Sequence, residues 1–169
     1  MKFTLPLVAA GFLLLILSCK PKGVGYNDTI EILEQFSELQ TIIDSKDHEV
    51  LVLNFWSTTC APCIKEMPHF NKLETAYLDM NVKILLVSLE KVTALETRIY
   101  PFVKKHGIIP EVVVLKDQFY TKWTDKIDEA WYGALPATLI IKNEKRKFRF
   151  GAYDSYEELQ SDVDGVLMQ

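Results

Sequence analysis

Two cysteines stand three residues apart in the stretch Trp56-Ser57-Thr58-Thr59-Cys60-Ala61-Pro62-Cys63. The residues before them, 50–56 (VLVLNFW), form an almost unbroken apolar run, as a strand buried on both faces requires. The residues after them read as a helix. A helix N-terminus carries partial positive charge and free N–H groups, and both stabilise a thiolate. Cys60 lies nearest that end, so it is the expected nucleophile. Cys63 lies one turn in, placed to attack a mixed disulfide and release a partner. Pro62 removes an N–H that the first helical turn would leave unpaired anyway. Two other uses of a cysteine pair fit less well. A closed zinc site needs four ligands, and the chain offers no second C-x-x-C and no H-x₃₋₅-H among its three histidines, so no metal is expected. A purely structural disulfide closing so short a loop constrains little. His69 and His106 have no matched partner and read as surface residues.

Glu66 lies three residues past Cys63 and so on the same helix face. Partly buried, it would have a raised pKa and could exchange a proton with Cys63. The plainer alternative is a solvated helix acid. Pro136 immediately precedes a strand-like run, and a cis X-Pro turn is one reason for it to stand there, an ordinary trans proline entering a strand being the plainer alternative. Trp56 reads chiefly as packing beneath the cysteine loop, with a second role open to it in shaping a cleft. Trp131 and Tyr132 lead into Pro136, and Trp131 is expected in the core.

The third cysteine belongs to a different feature. Lys2, the apolar run 3–17 and small Ser18 immediately precede Cys19. The run is too short for a membrane-spanning helix of roughly 20 residues. Ile16-Leu17-Ser18-Cys19 resembles a bacterial lipobox. The resemblance implies that residues 1–18 are a lipoprotein signal peptide and 19–28 a tether anchored through lipid on Cys19, which leaves 29–169 as one domain.

The remaining pattern shows what would position the redox pair. Residues 29–33 suit a short strand, and 35–44 a helix with Phe36, Leu39, Ile42 and Ile43 on one side. Strands are expected at 82–88 and 111–115. Between them a helix over 95–105 is expected, kinked or started late by Pro101 and ended by Gly107. Residues 118–125 suit a short helix with Phe119 and Trp123 inward. A closing hairpin over 138–142 and 147–150 and a helix capped by Ser155 complete the chain. The early strands need crossover helices and hence parallel pairing, while the last pair is antiparallel. The fold class is α/β, with a mixed central β-sheet flanked by helices on both faces. The chain has 169 residues, a net charge of −4 and a pI near 5.4, so no basic surface recruits nucleic acid. The local basic run 142–149 reads as a solvated strand edge.

These features together resemble the thioredoxin superfamily, and within it the membrane-anchored TlpA/ResA-like thiol–disulfide oxidoreductases. The marks are Asn54-Phe55-Trp56 before the motif, Cys60 and Cys63, Glu66 in C-x-x-C-x-x-E, Pro68 in the helix, and Gly133-Ala134-Leu135-Pro136-Ala137-Thr138 as G-x-x-P-x-T. The 76-residue spacing from Cys60 to Pro136 fits the added strand–helix module of that branch. The resemblance implies a cis Pro136 lying against the cysteines, with the Leu135 backbone free to pair with an extended substrate. Trp56, Leu135 and Pro136 are then the candidate substrate-binding residues. Thioredoxins proper have Asp where this chain has Asn54, so proton traffic here must use Glu66 or water.

The resemblance implies reduction of disulfides in envelope proteins by a lipid-anchored protein facing the periplasm. Electrons would come from a membrane thiol donor, and no cofactor is required. A non-enzymatic module holding clients in the cis-Pro groove is the rival reading, against which the intact C-x-x-C argues. Peroxidases of the superfamily carry T-x-x-C and copper chaperones C-x-x-x-C, and neither pattern fits. The redox poise is not readable from Ala61-Pro62.

Overall fold

The strand leading to the cysteines is the centre of the molecule. In a computed structural model, which describes residues 29–168, strand β2 (Val50–Trp56) has all seven residues buried. Parallel neighbours β3 (Val82–Ser88), β4 (Glu111–Leu115) and β1 (Glu31–Leu33) extend the sheet on one side. Antiparallel β5 (Ala137–Lys142) and β6 (Lys145–Phe150) extend it on the other, giving the order β1-β4-β3-β2-β5-β6. The expected mixed sheet is thus present, and the Cys60–Pro136 interval holds two strands, β3 and β4, linked by helix α3 (Tyr100–His106).

Alternation along the strands splits the core between the two faces. Val50, Val52 and Trp56 face helices α2 (Ala61–Ala76) and α5 (Tyr156–Leu167), together with α3. Leu51, Leu53 and Phe55 face α1 (Phe36–Asp44) and the one-turn α4 (Thr124–Ile127), with Trp123 and Trp131 between them. Phe36 stacks on Trp123 at 5.1 Å between ring centroids. Trp131 is in the core as expected.

Three local expectations change in detail. The helix expected over 95–105 is divided into a 3₁₀ turn at Val92–Ala94, a π turn at Leu95–Ile99 and α3. Pro101 has no N–H for the Thr97 carbonyl and its ring crowds that carbonyl, so the turn before it widens. Gly107 does end α3, in the left-handed conformation at φ 56°. Phe119 points outward and is 67% exposed, not inward. Asp117 accepts its N–H in a turn, helical structure begins only at Tyr120, and the Phe119 ring lies under the Lys122 ammonium. At α5, Ser155 Oγ accepts the Glu158 N–H as a cap should, but the Glu158 carboxylate reaches the Asp154 N–H and Arg149.

β6 is the sheet edge, and two of its cations pair with acids on α5, while Arg146 donates to the carbonyls of Lys126 and Ile127 at α4. Lys147 pairs with Asp162 and Arg149 with Glu158. That agrees with a charged, solvated edge, which discourages pairing with another chain.

Candidate redox site

The C-terminal end of β2 delivers the chain into a tight loop at 57–59. Ser57 Oγ accepts the Thr59 N–H, and the Ser57 carbonyl accepts the Cys60 N–H. Thr58 is held from outside β2: its N–H and hydroxyl both donate to the Glu90 carboxylate, at 2.8 and 3.0 Å. Glu90 is itself buried and pairs with Arg98 at 3.0 Å. The Leu89 N–H donates to the Trp56 carbonyl, which joins the two strand ends. Glu90 was not among the sequence candidates. Its only signal there is an acid just past the carboxyl end of a buried strand, the end that carries the cysteines.

Cys60 is the N-cap of α2, and its Sγ accepts the Cys63 N–H at 3.3 Å. Cys60 and Cys63 are joined in a disulfide with their Cα atoms 5.2 Å apart. Cys60 is partly exposed and Cys63 is fully buried. Of the two, Cys60 is the one partly open to solvent, and it stands where a helix end favours a thiolate.

Glu66 is not a solvated acid. It is completely buried on the Cys63 face of α2. One oxygen accepts Asn54 Nδ2–H at 2.8 Å and the other accepts the Tyr153 N–H at 2.9 Å. Burial pushes its carboxyl up from 4.5 to about 7. The two hydrogen bonds and the Arg149 charge pull the other way and do not win.

The cis-proline expected from the sequence is present, as the Leu135-Pro136 bond. Phe55 pairs with Ala137, so Pro136 stands opposite the exit of β2, at the end where Cys60 follows. The loop before it is pinned: Trp131 Nε1–H donates to the Ala134 carbonyl, and Gly133 adopts φ 88°, which side-chain-bearing residues rarely take. Leu135 is half-buried and packs against the cores of both faces. Tyr132 and Phe150, both exposed, sit beside this turn with rings 6.0 Å apart.

Trp56 lies elsewhere than a partner-binding role requires. It is fully buried against Phe102, at 5.1 Å between centroids, and so supports the loop from beneath. Cys19 and the tether 19–28 lie outside the described residues.

A model of the AhpC/TSA family matches residues 33–146, which include Cys60, Cys63, Glu66 and Pro136. The chain belongs to the AhpC/TSA family. This AhpC/TSA chain is 34% identical over 89 residues to the thiol-disulfide oxidoreductase ResA of Halalkalibacterium halodurans, covering 53% of this chain and 46% of that protein. It is 29% identical over 116 residues to ResA of Geobacillus thermodenitrificans, covering 68% and 61%. The chain thus spans about half the length of the curated relatives it matches. Among solved structures it is similar to a thioredoxin-related protein from Neisseria meningitidis serogroup B, with TM-score 0.63 and 20% identity over 75% of this chain and 91% of that one. StoA from Bacillus subtilis gives TM-score 0.53 and 22% identity, over 70% and 84%. These likenesses show a thioredoxin-like fold.

Proposed function

We propose that this protein is a thiol–disulfide oxidoreductase that reduces disulfides of envelope proteins through Cys60 and Cys63. The observation that carries the reading is the pairing of a partly exposed Cys60 at the head of α2 with a fully buried Cys63. The relatives called thiol-disulfide oxidoreductase support it. In the reduced form the Cys60 thiolate attacks one sulfur of a client disulfide, and the client S–S bond breaks. One client sulfur leaves as a thiolate and takes a proton from water. The other stays bound to Cys60. Cys63 then loses its proton and attacks Cys60 Sγ, which expels the second client thiolate and restores the Cys60–Cys63 bond. Two electrons pass from the couple to the client, and a dithiol donor at the membrane returns them.

Within this cycle Glu66, ionised, takes the Cys63 proton. A group that titrates near 7 is suited to giving and taking protons at neutral pH. The client lies extended along the Leu135 backbone, adding a strand at the turn. Cys19 carries the lipid that holds the domain, residues 29–169, at the membrane after removal of residues 1–18. The leader pattern supports this, and an oxidising compartment is where such a reductase needs an external thiol donor.

Trapping tests the reading. With Cys63→Ser the second step cannot occur, so Cys60-linked mixed disulfides accumulate and appear on non-reducing gels. Equal client capture when both cysteines are Ser would favour the binding-module reading instead.

A further inference from the structure

The side chain that holds Glu66 has an unusual set of partners. Asn54 is fully buried in β2, and its Nδ2 makes two hydrogen bonds, to Glu66 at 2.8 Å and to Thr138 Oγ1 at 3.1 Å. Its Oδ1 is buried with no hydrogen-bond partner among the described residues. A buried amide oxygen left unpaired is costly, and a strand centre does not retain one without reason.

The partners explain the choice. Both groups facing Nδ2 can reverse polarity. A carboxylate accepts, but a protonated carboxyl donates. A threonine hydroxyl does either. While Glu66 is ionised, the amide must show it N–H, as it does here. Once Glu66 holds a proton, its O–H needs an acceptor, and Nδ2 offers none. Turning the amide about Cβ–Cγ puts Oδ1 where Nδ2 was. Oδ1 has two lone pairs, so it accepts from both Glu66 O–H and Thr138 O–H. Two hydrogen bonds are made in either orientation, and one end of the amide is idle in either.

We propose that Asn54 is a positioning residue whose amide turns with the proton on Glu66, so that the acid is held in one place in both its charged and neutral forms. The proposal rests on the reading that Glu66 exchanges a proton with the cysteine couple. Thr138 makes the turn possible and comes from β5, two residues past Pro136, so the strand that ends the client groove shares the same amide. The charged and titratable groups around Glu66 are few. Arg149 on β6 favours the carboxylate, Tyr153 follows β6, and the cysteine couple heads α2. β2 and β5 present Asn54 and Thr138, neither of which titrates. Glu66 is thus the group whose charge the amide meets directly.

The test uses wild-type oxidised protein labelled with ¹⁵N, with Asn54 side-chain resonances followed at about pH 5 and about pH 9, either side of the Glu66 ionisation. At the higher pH the Nδ2 protons give cross-peaks to the Thr138 methyl group and Glu66 methylenes, and at the lower pH these are lost. The same cross-peaks at both pH values overturn the turning amide. The second measurement is the single-turnover rate of mixed-disulfide resolution against pH. Asn54→Leu keeps the bulk but removes both functions, and is expected to lower that rate roughly tenfold and flatten its Glu66-dependent limb. A wild-type rate and profile in Asn54→Leu overturns the positioning role. Glu66→Gln separates the two claims. If it leaves the pH profile unchanged, the acid–base reading of Glu66 fails, while the cross-peaks still report on the amide alone.

Discussion

Cys60→Ser lowers turnover of a protein disulfide by roughly a thousandfold or more, to the rate of the free thiol donor alone. The hydroxyl that replaces the thiol stays protonated at neutral pH and attacks disulfide sulfur poorly. Cys63 cannot substitute, because it is fully buried behind Cys60. The chain also loses its means of storing two electrons, so no slow alternative cycle remains. Cys63→Ser behaves differently: it retains the first attack and releases one client thiol per molecule before stopping. The comparison is made by insulin reduction with a limiting thiol donor, steady-state for Cys60→Ser and stoichiometric for Cys63→Ser. Equal turnover in wild type and Cys60→Ser would remove the enzymatic reading.

The second large effect is on stability. Glu66 holds its proton in the folded protein until about pH 7, whereas the unfolded chain releases it near 4.5. Between those values the native state binds the extra proton. Stability from this group is therefore complete below 4.5, falls as pH rises towards 7, and is level above. The size of the fall is about 3 kcal/mol for a fully buried acid with this shift. Other carboxylates slope the opposite way at lower pH, so the difference from Glu66→Gln isolates the effect. Urea denaturation of the two proteins across this range is expected to show the wild type losing stability relative to the variant. A difference that does not change with pH would mean that Glu66 is ionised throughout.

The same burial that costs stability suits the chemistry. In the proposed cycle, an acid that titrates near neutral pH on the Cys63 face of α2 is suited to accept the Cys63 proton and give it back. The spacing of Glu66 from Cys63 is enough to put both on one face of α2. Its burial is not predictable from the sequence, because the groups that cover it are Asn54, twelve residues earlier, and Tyr153, eighty-seven residues later. Local periodicity carries no information about contacts so distant in the chain. The strands are another matter: β2 and β3 are long, apolar and bounded, so pattern alone locates them. The cis Pro136 is legible through the resemblance, because Gly133-Ala134-Leu135-Pro136-Ala137-Thr138 matches the G-x-x-P-x-T pattern, whereas position ahead of a strand suits a trans proline as well. Glu90 is not legible, because its partners, Thr58 and Arg98, come from different elements and its own neighbourhood reads as a loop. Trp56 has two readings in sequence, and its burial against Phe102 at the end of β2 supports the packing one. The π turn before α3 depends on how the ladder adjusts to Pro101, and pattern shows only that an adjustment is needed.

A Cys60–Cys63 couple that works as a reductant must have a low midpoint potential. Equilibration of the protein with glutathione or dithiothreitol at neutral pH measures that potential directly. The expected value is near that of thioredoxin, about −270 mV, whereas a value near that of a strong dithiol oxidant, about −120 mV, would contradict a reducing role.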